Sequence, residues 1–166
     1  DLAAIQRQFH HLVRIVPGDG RLIVNGEDKA LAEVLAMGCW TPVERFAIDA
    51  DAEWQAELLQ ADGSEFLLKH DGQALGTVRW NLLGRHNVMN ALAAFAACHA
   101  VGVDVKAVIP GLADFVSVKR RMEVIGSAHG ITVYDDFAHH PTAIQTTLGG
   151  LRARVGSARI LVAMEP

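Results

Sequence analysis

An α/β fold follows from three features of the sequence. Hydrophobic periods of helix and of strand alternate along its 166 residues. An Asp-Gly pair joins two strand-like runs near the middle of the chain. Residues 131–164 carry a strand, a helix and a second strand, which reads as one βαβ unit with parallel strands and a right-handed crossover.

The elements follow in order. Leu2, Ile5, Phe9, Leu12 and Val16 recur at three- and four-residue steps, so residues 1–16 are an amphipathic helix. Pro17-Gly18-Asp19-Gly20 is a turn, and Arg21–Asn25 a short strand. Asp28 caps a helix running to Met37, with Leu31, Val34 and Leu35 facing inward and Gly38 as its stop. A strand is expected near Glu44–Ile48 and a short helix near Ala52–Gln60. Phe66–Lys69 and the alternating Val78, Trp80 and Leu82 flank His70-Asp71-Gly72-Gln73, where Asp-Gly favours a type I′ turn. At Gly84 the period becomes helical. Asn87–Ala100 is Ala-rich and apolar nearly all round, which predicts a buried helix closed by Gly102. Another helix starts at Asp104 and is kinked or ended by Pro110-Gly111. Asp114–Glu123 is a polar connector, with a domain boundary near 114–117. Ile131–Asp136 reads as a buried strand. Pro141 opens a helix with Ile144, Leu148 and Leu151 on one face, and Arg159–Met164 is a second strand.

Two parallel strands leave both edges open and both faces bare. The chain is therefore expected to be a fragment, with residues 1–113 ending one domain and 114–166 beginning the next. Composition narrows the class. Hydrophobic residues make up 51% and charged residues 20%, which fits a globular protein and excludes a disordered one. Fifteen Lys+Arg against nineteen Asp+Glu give −4, so neither nucleic acid nor an anionic membrane is an expected partner. No apolar run approaches the length needed to span a bilayer, and the opening DLAAIQRQ does not read as a signal peptide. Cys39 and Cys98 sit far apart among apolar neighbours, as reduced core thiols of a cytoplasmic protein do.

Three constellations carry chemistry. In Gly84-Arg85-His86-Asn87-Val88-Met89-Asn90 two amides lie three residues apart at a helix start, able to read an adenine edge or to fix a loop. One of them could equally be a cap. Lys119-Arg120-Arg121-Met122-Glu123 places guanidinium groups in a connector, suited to phosphate or simply to water. In Tyr134-Asp135-Asp136-Phe137-Ala138-His139-His140-Pro141, carboxylates end a strand just before a helix. Ligands of open α/β sheets bind at that edge, and the helix dipole favours phosphate there. The acids and histidines could also hold a metal, or serve as a cap and solvated carboxylates. No GxxxxGK[ST] loop, GxSxG, HExxH or CxxC occurs.

Together and in this order, the three constellations resemble the Mur ligase family of ATP-dependent amide-forming enzymes. The family motif G-x-H-N-x-x-N-A-x-A-A is matched by Gly84–Ala94, R-x-E by Arg121-Met122-Glu123, and D-[YF]-A-H-x-P by Asp136–Pro141. KRRMEV, YDDFAHHPTAI and the opening DLAAIQRQFHHLVR lean toward the branch that attaches a murein tripeptide during peptidoglycan recycling. The alternative branch adds L-alanine in peptidoglycan biosynthesis.

The resemblance implies a three-domain cytoplasmic enzyme. Residues 1–113 would be the later part of its central ATP-binding domain. Residues 114–166 would be the first βαβ unit of its Rossmann-like C-terminal domain. Carried over by position, Asn90 faces adenine, Asn87 buttresses it, Arg121 faces the phosphates as the catalytic group, and Asp136 accepts the ribose hydroxyls. His139 belongs to the same cofactor-binding motif. No metal ligand falls in this chain: the phosphate-loop Lys and the Mg²⁺-binding Glu and His would precede Asp1. The implied substrates are UDP-N-acetylmuramate, ATP with Mg²⁺, and the tripeptide L-Ala-γ-D-Glu-meso-diaminopimelate. The fragment alone would be inactive. Two readings of other classes compete: a metal-dependent hydrolase built on Asp135, Asp136, His139 and His140, and a non-catalytic nucleotide-binding module.

Overall fold

The computed structural model of the chain describes residues 1–164. Helix α1 (Leu2–Ile15) is capped by Asp1, whose carboxylate accepts the Ala4 N–H at 2.7 Å. Strand β1 (Leu22–Asn25) follows, then α2 (Lys29–Ala36), where Asp28 accepts the N–H groups of Ala30 and Leu31. Strands β2 (Val43–Ala47), β3 (Trp54–Leu58), β4 (Glu65–His70) and β5 (Gln73–Arg79) complete a five-stranded sheet in sequential order. β1, β2 and β3 run parallel, and β3, β4 and β5 alternate in direction. Asp71 (φ 48°) and Gly72 (φ 75°) turn the β4–β5 hairpin, as a type I′ turn requires.

Residues 54–58 are a strand, not the short helix expected there. Trp54 and Ala56 are buried alternately, and antiparallel pairing with β4 over five residues outweighs the helical preference of Ala, Glu, Gln and Leu. A parallel neighbour normally needs a long crossover, yet only six residues join β2 to β3. The register explains it: the end of β2 (Phe46, Ala47) pairs with the start of β3 (Trp54, Gln55), so the chain steps sideways without returning along the sheet. Glu27 holds that step by accepting the N–H groups of Ile48 (2.6 Å) and Asp49 (2.7 Å).

Helix α3 (Arg85–Ala100) packs across β1, β2 and β3. Only its Val88, Ala91, Leu92, Phe95 and Ala96 stripe is buried, so the helix is one-sided rather than buried all round. Its alanines look apolar in sequence, but Ala94, Ala97 and Ala100 face outward. The stripe meets Trp54, Phe66, Leu68 and Val78 to form the core. Cys39 and Cys98 are both free thiols and half-buried, so neither is a core thiol. A short α4 (Val105–Val108), capped by Asp104, runs into a 3₁₀ turn at Ile109–Leu112 that carries Pro110.

The last third departs further from expectation. A strand β6 (Glu123–Ala128), not expected from the sequence, begins where the polar connector ends and pairs antiparallel with β7 (Ile131–Asp135) through a turn at His129-Gly130. β7 is thus the second arm of an exposed hairpin, not a buried parallel strand: Ile131 is 66% exposed. Gly126 sits at a register shift, which breaks the alternation that would have announced β6. Helix α5 (Pro141–Val155) forms with Pro141 in its first turn and His140 as cap. Arg159–Met164 forms no strand. Its composition suits one, but among the described residues β7 is laddered only to β6, and Leu161 remains 77% exposed. The βαβ unit therefore does not close. Among the described residues no helix is long and apolar enough to cross a membrane.

The division between core and surface is testable. Leu92→Ala removes a fully buried side chain and should cost about 2–5 kcal/mol in denaturant unfolding. Val116→Ala, at an 86% exposed connector position, should stay within about 0.5 kcal/mol of wild type.

Candidate functional site

The first constellation opens at Gly84. Its φ of +90° belongs to the region that favours glycine, and a Cβ there would lie 2.7–2.8 Å from the His86 ring. Its N–H donates to the Asp62 carbonyl (2.7 Å) and its carbonyl accepts the Asn87 N–H (3.1 Å). Helix α5 lies directly on this turn. A Cβ on Gly150 would stand 2.9 Å from Gly84 Cα and 3.0 Å from its nitrogen, so the two backbones touch with no side chain between them. Arg154, one turn further along α5, pairs with Asp62 at 3.1 Å. The Asp62 carboxylate is buried, which alone would raise its pKa. The Ser64 hydroxyl (2.6 Å), the Ser64 N–H (2.9 Å) and Arg154 outweigh that, and the net shift is downward.

His86 lies between the parts of the site. Its pKa is lowered, first by burial and then by the Arg121 guanidinium, against an opposing pull from the Asp136 carboxylate. The shift favours the neutral ring, and its Nδ1 is the one buried side-chain nitrogen or oxygen without a hydrogen-bond partner among the described residues. The charges of Arg121 and Asp136 are thus felt at the His86 ring through space. Asp136 fixes its own loop: Oδ1 accepts the Ala138 N–H (2.8 Å) and Oδ2 the Met122 N–H (2.9 Å), and each oxygen keeps a lone pair. Arg120 takes the structural part of the basic run, pairing with Asp135 at 3.4 Å and lying over the Phe137 ring at 4.9 Å. Arg121 itself is exposed.

The amides differ. Asn87 donates to the Leu83 carbonyl at 2.7 Å and so braces the turn, whereas Asn90 is exposed. Neither is the helix cap. Gly84 holds that position, with no side-chain bond to the first turn. His139 is also exposed: its Nδ1 lies 3.0 Å from the Phe137 carbonyl and its ring packs on Phe137. His140 accepts the Thr142 N–H. Among the described residues, no three of Asp135, Asp136, His139 and His140 bring ligand atoms within 4.8 Å of one another, which leaves the metal-hydrolase reading without a ligand set.

The sequence reading missed His86, Asp62, Arg154 and Gly150. His86 lay inside the quoted motif with no role attached. The mid-helix Gly149-Gly150 pair was the available signal for close backbone approach.

The residues present suit a nucleotide. They offer an exposed amide, an exposed guanidinium, a carboxylate with spare lone pairs and a helix N-terminus without a side-chain cap.

Comparison with known proteins agrees in outline. The Mur ligase middle domain matches residues 1–98, and the Mur ligase glutamate ligase domain matches residues 120–165. The chain is 50% identical to the UDP-N-acetylmuramate--L-alanyl-gamma-D-glutamyl-meso-2,6-diaminoheptandioate ligase of Escherichia coli K12, over 100% of this chain and 36% of that protein. It is 42% identical to the UDP-N-acetylmuramate--L-alanine ligase of Mycolicibacterium vanbaalenii, over 92% of this chain and 34% of that protein. The crystal structure of a murein peptide ligase from Psychrobacter arcticus superposes with a TM-score of 0.72 at 46% identity, covering 95% of this chain and 34% of the other. The chain thus spans about a third of the length of these relatives (36% and 34%).

The seating of α5 gives a paired test. Gly150→Ala should destabilise the chain by about 1–3 kcal/mol, because its Cβ meets the Gly84 backbone. Gly149→Ala meets nothing within 4 Å and should stabilise by about 0.5–1 kcal/mol as a helix-interior replacement. Thermal unfolding of the two variants reads the difference in sign.

Proposed function

The chain belongs to the Mur ligase family, and we propose that the protein carrying it joins UDP-N-acetylmuramate to L-alanyl-γ-D-glutamyl-meso-diaminopimelate with consumption of ATP. The observation that carries this reading is the seating of α5, the helix that follows the Asp136–Pro141 motif, on the Gly84 turn that opens the Asn87–Asn90 motif. The identity pattern supports the choice of branch: 46–50% to proteins named as tripeptide ligases, over the whole chain, against 33–42% to several named as L-alanine ligases. The L-alanine ligase is the second reading.

In this reading residues 1–113 belong to the central domain and 114–166 to the C-terminal one. A boundary at 114–117 falls in the stretch between the two family matches. The site residues divide the work by their chemistry. Asn90 presents an amide to the adenine edge, and Asn87, tied to Leu83, keeps the helix start in place. Asp136 accepts ribose hydroxyls with the lone pairs its loop leaves free. Arg121 neutralises charge on the phosphates as the sugar carboxylate attacks the terminal one. That attack gives an acyl phosphate and ADP. The alanyl amine of the tripeptide then displaces phosphate and forms the amide. His139 lies beside the nucleotide loop. ATP brings the activating phosphoryl group, and Mg²⁺ with its ligands is assigned to the part of the protein outside this chain. Arg121 and Asp136 stand on the second domain, so movement about the connector completes the site. A cytoplasmic location goes with these substrates and with two free thiols.

The experiment is phosphate release by the full-length protein with UDP-N-acetylmuramate, ATP and Mg²⁺. Release that depends on the tripeptide is expected. Release with L-alanine alone would move the protein to the biosynthetic branch, and release with neither would overturn the proposal. Arg121→Ala should lower kcat by about 10²–10³-fold with little change in KM for the sugar nucleotide. An unchanged kcat would remove Arg121 from the phosphate site.

A further inference from the structure

We propose that Glu44, His70 and His99 form a binding site for a divalent first-row transition metal of the Zn²⁺ kind. The three come from different elements: β2, β4 and the last turn of α3. One ligand atom of each lies within 4.8 Å of those of the other two. Bonds of about 2.0–2.1 Å to a tetrahedral ion put ligand atoms about 3.4 Å apart, so the three need contract by no more than about 1.4 Å. His99 is exposed and is the member free to move.

The surroundings orient the other two. Glu44 is buried, and its Oε2 accepts the Trp54 indole N–H at 2.9 Å. His70 stacks on the Trp54 ring (centroids 4.1 Å apart, planes at 23°), which fixes its ring plane. Asp71 Oδ2 stands 3.6 Å from His70 Nε2, close to the carboxylate–histidine pairing that supports metal-bound imidazoles. The rings of His70 and His99 are 4.7 Å apart, so the imidazoles are already neighbours. Arg21 lies 3.4 Å from Glu44 Oε1 and balances its charge. Being 45% exposed, it can swing into water as a metal takes over that part.

Two imidazoles and a carboxylate suit Zn²⁺, Ni²⁺ or Cu²⁺ and do not suit Mg²⁺ or Ca²⁺, which take oxygen ligands. With three protein ligands and solvent beside His99, the fourth position falls to water. Twelve residues of α3, about 18 Å, separate His99 from Asn87, so this site is separate from the nucleotide motif. Its effect is a staple between the sheet and the far end of α3.

The test is a Zn²⁺ titration of the full-length protein in excess Mg²⁺, with His99→Gln, His70→Gln and Glu44→Gln beside wild type. Glu44→Gln keeps an acceptor for the Trp54 N–H, and His99→Gln changes an exposed side chain, so both variants should fold. Wild type should bind one Zn²⁺ more than His99→Gln, or bind it at least about tenfold more tightly. Glu44→Gln should behave like His99→Gln. Co²⁺ in place of Zn²⁺ should give visible tetrahedral bands that His70→Gln abolishes. Equal Zn²⁺ binding by wild type and all three variants would overturn the proposal and leave the Trp54–His70–His99 cluster as aromatic packing alone.

Discussion

The contact of the Gly84 and Gly150 backbones is the constraint on which the rest of the site depends. Helix α5 lies against the turn before α3 because neither position carries a side chain. Helix α5 starts at Pro141, so that seating ties the end of the Asp136–Pro141 motif to the Gly84 turn. It also lets Arg154 reach the buried Asp62, whose backbone in turn holds Gly84. One steric fact therefore links the sheet, the start of α3 and the helix of the second family match. An ion pair with one half-exposed partner is weak evidence of stability by itself. Here its value is positional, since Asp62 is already held by Ser64 and Arg154 fixes the rotation of α5 about the glycine contact.

Burial sets the electrostatics of the junction. Burial lowers the His86 pKa, with the Asp136 carboxylate opposing the shift and the Arg121 guanidinium adding to it. Two acids and two arginines, adjacent in sequence, are sorted by the fold: Arg120 pairs with Asp135, Asp136 holds its own loop, and Arg121 stays exposed.

The legible part of the fold was the part governed by local chemistry. Asp28 as a cap, Asp71-Gly72 as a hairpin turn and Pro141 in a first helical turn each have one strong local reason. The failures came where pairing decides. Residues 54–58 carry helix-forming side chains but lie between two strands. Glu123–Ala128 has a bulge at Gly126 that hides its period, and Arg159–Met164 has strand composition without a ladder to join. The site followed the same division. Asn87, Asn90, Arg121, Asp136 and His139 were visible as motif residues. Asp62 and Arg154, 92 residues apart in sequence, have no local signature, and only their burial and apposition reveal them.

The most direct test of the junction's role is nucleotide affinity in a variant that touches no proposed nucleotide contact. Arg154→Glu sets a second acid against Asp62 and should loosen α5 from the Gly84 turn. Calorimetric titration of the full-length protein with ATP should then show affinity weakened about tenfold, while Arg159→Glu, beyond the helix, leaves it unchanged. Equal affinity in wild type and Arg154→Glu would contradict the account, because the nucleotide site would then not depend on how α5 is seated.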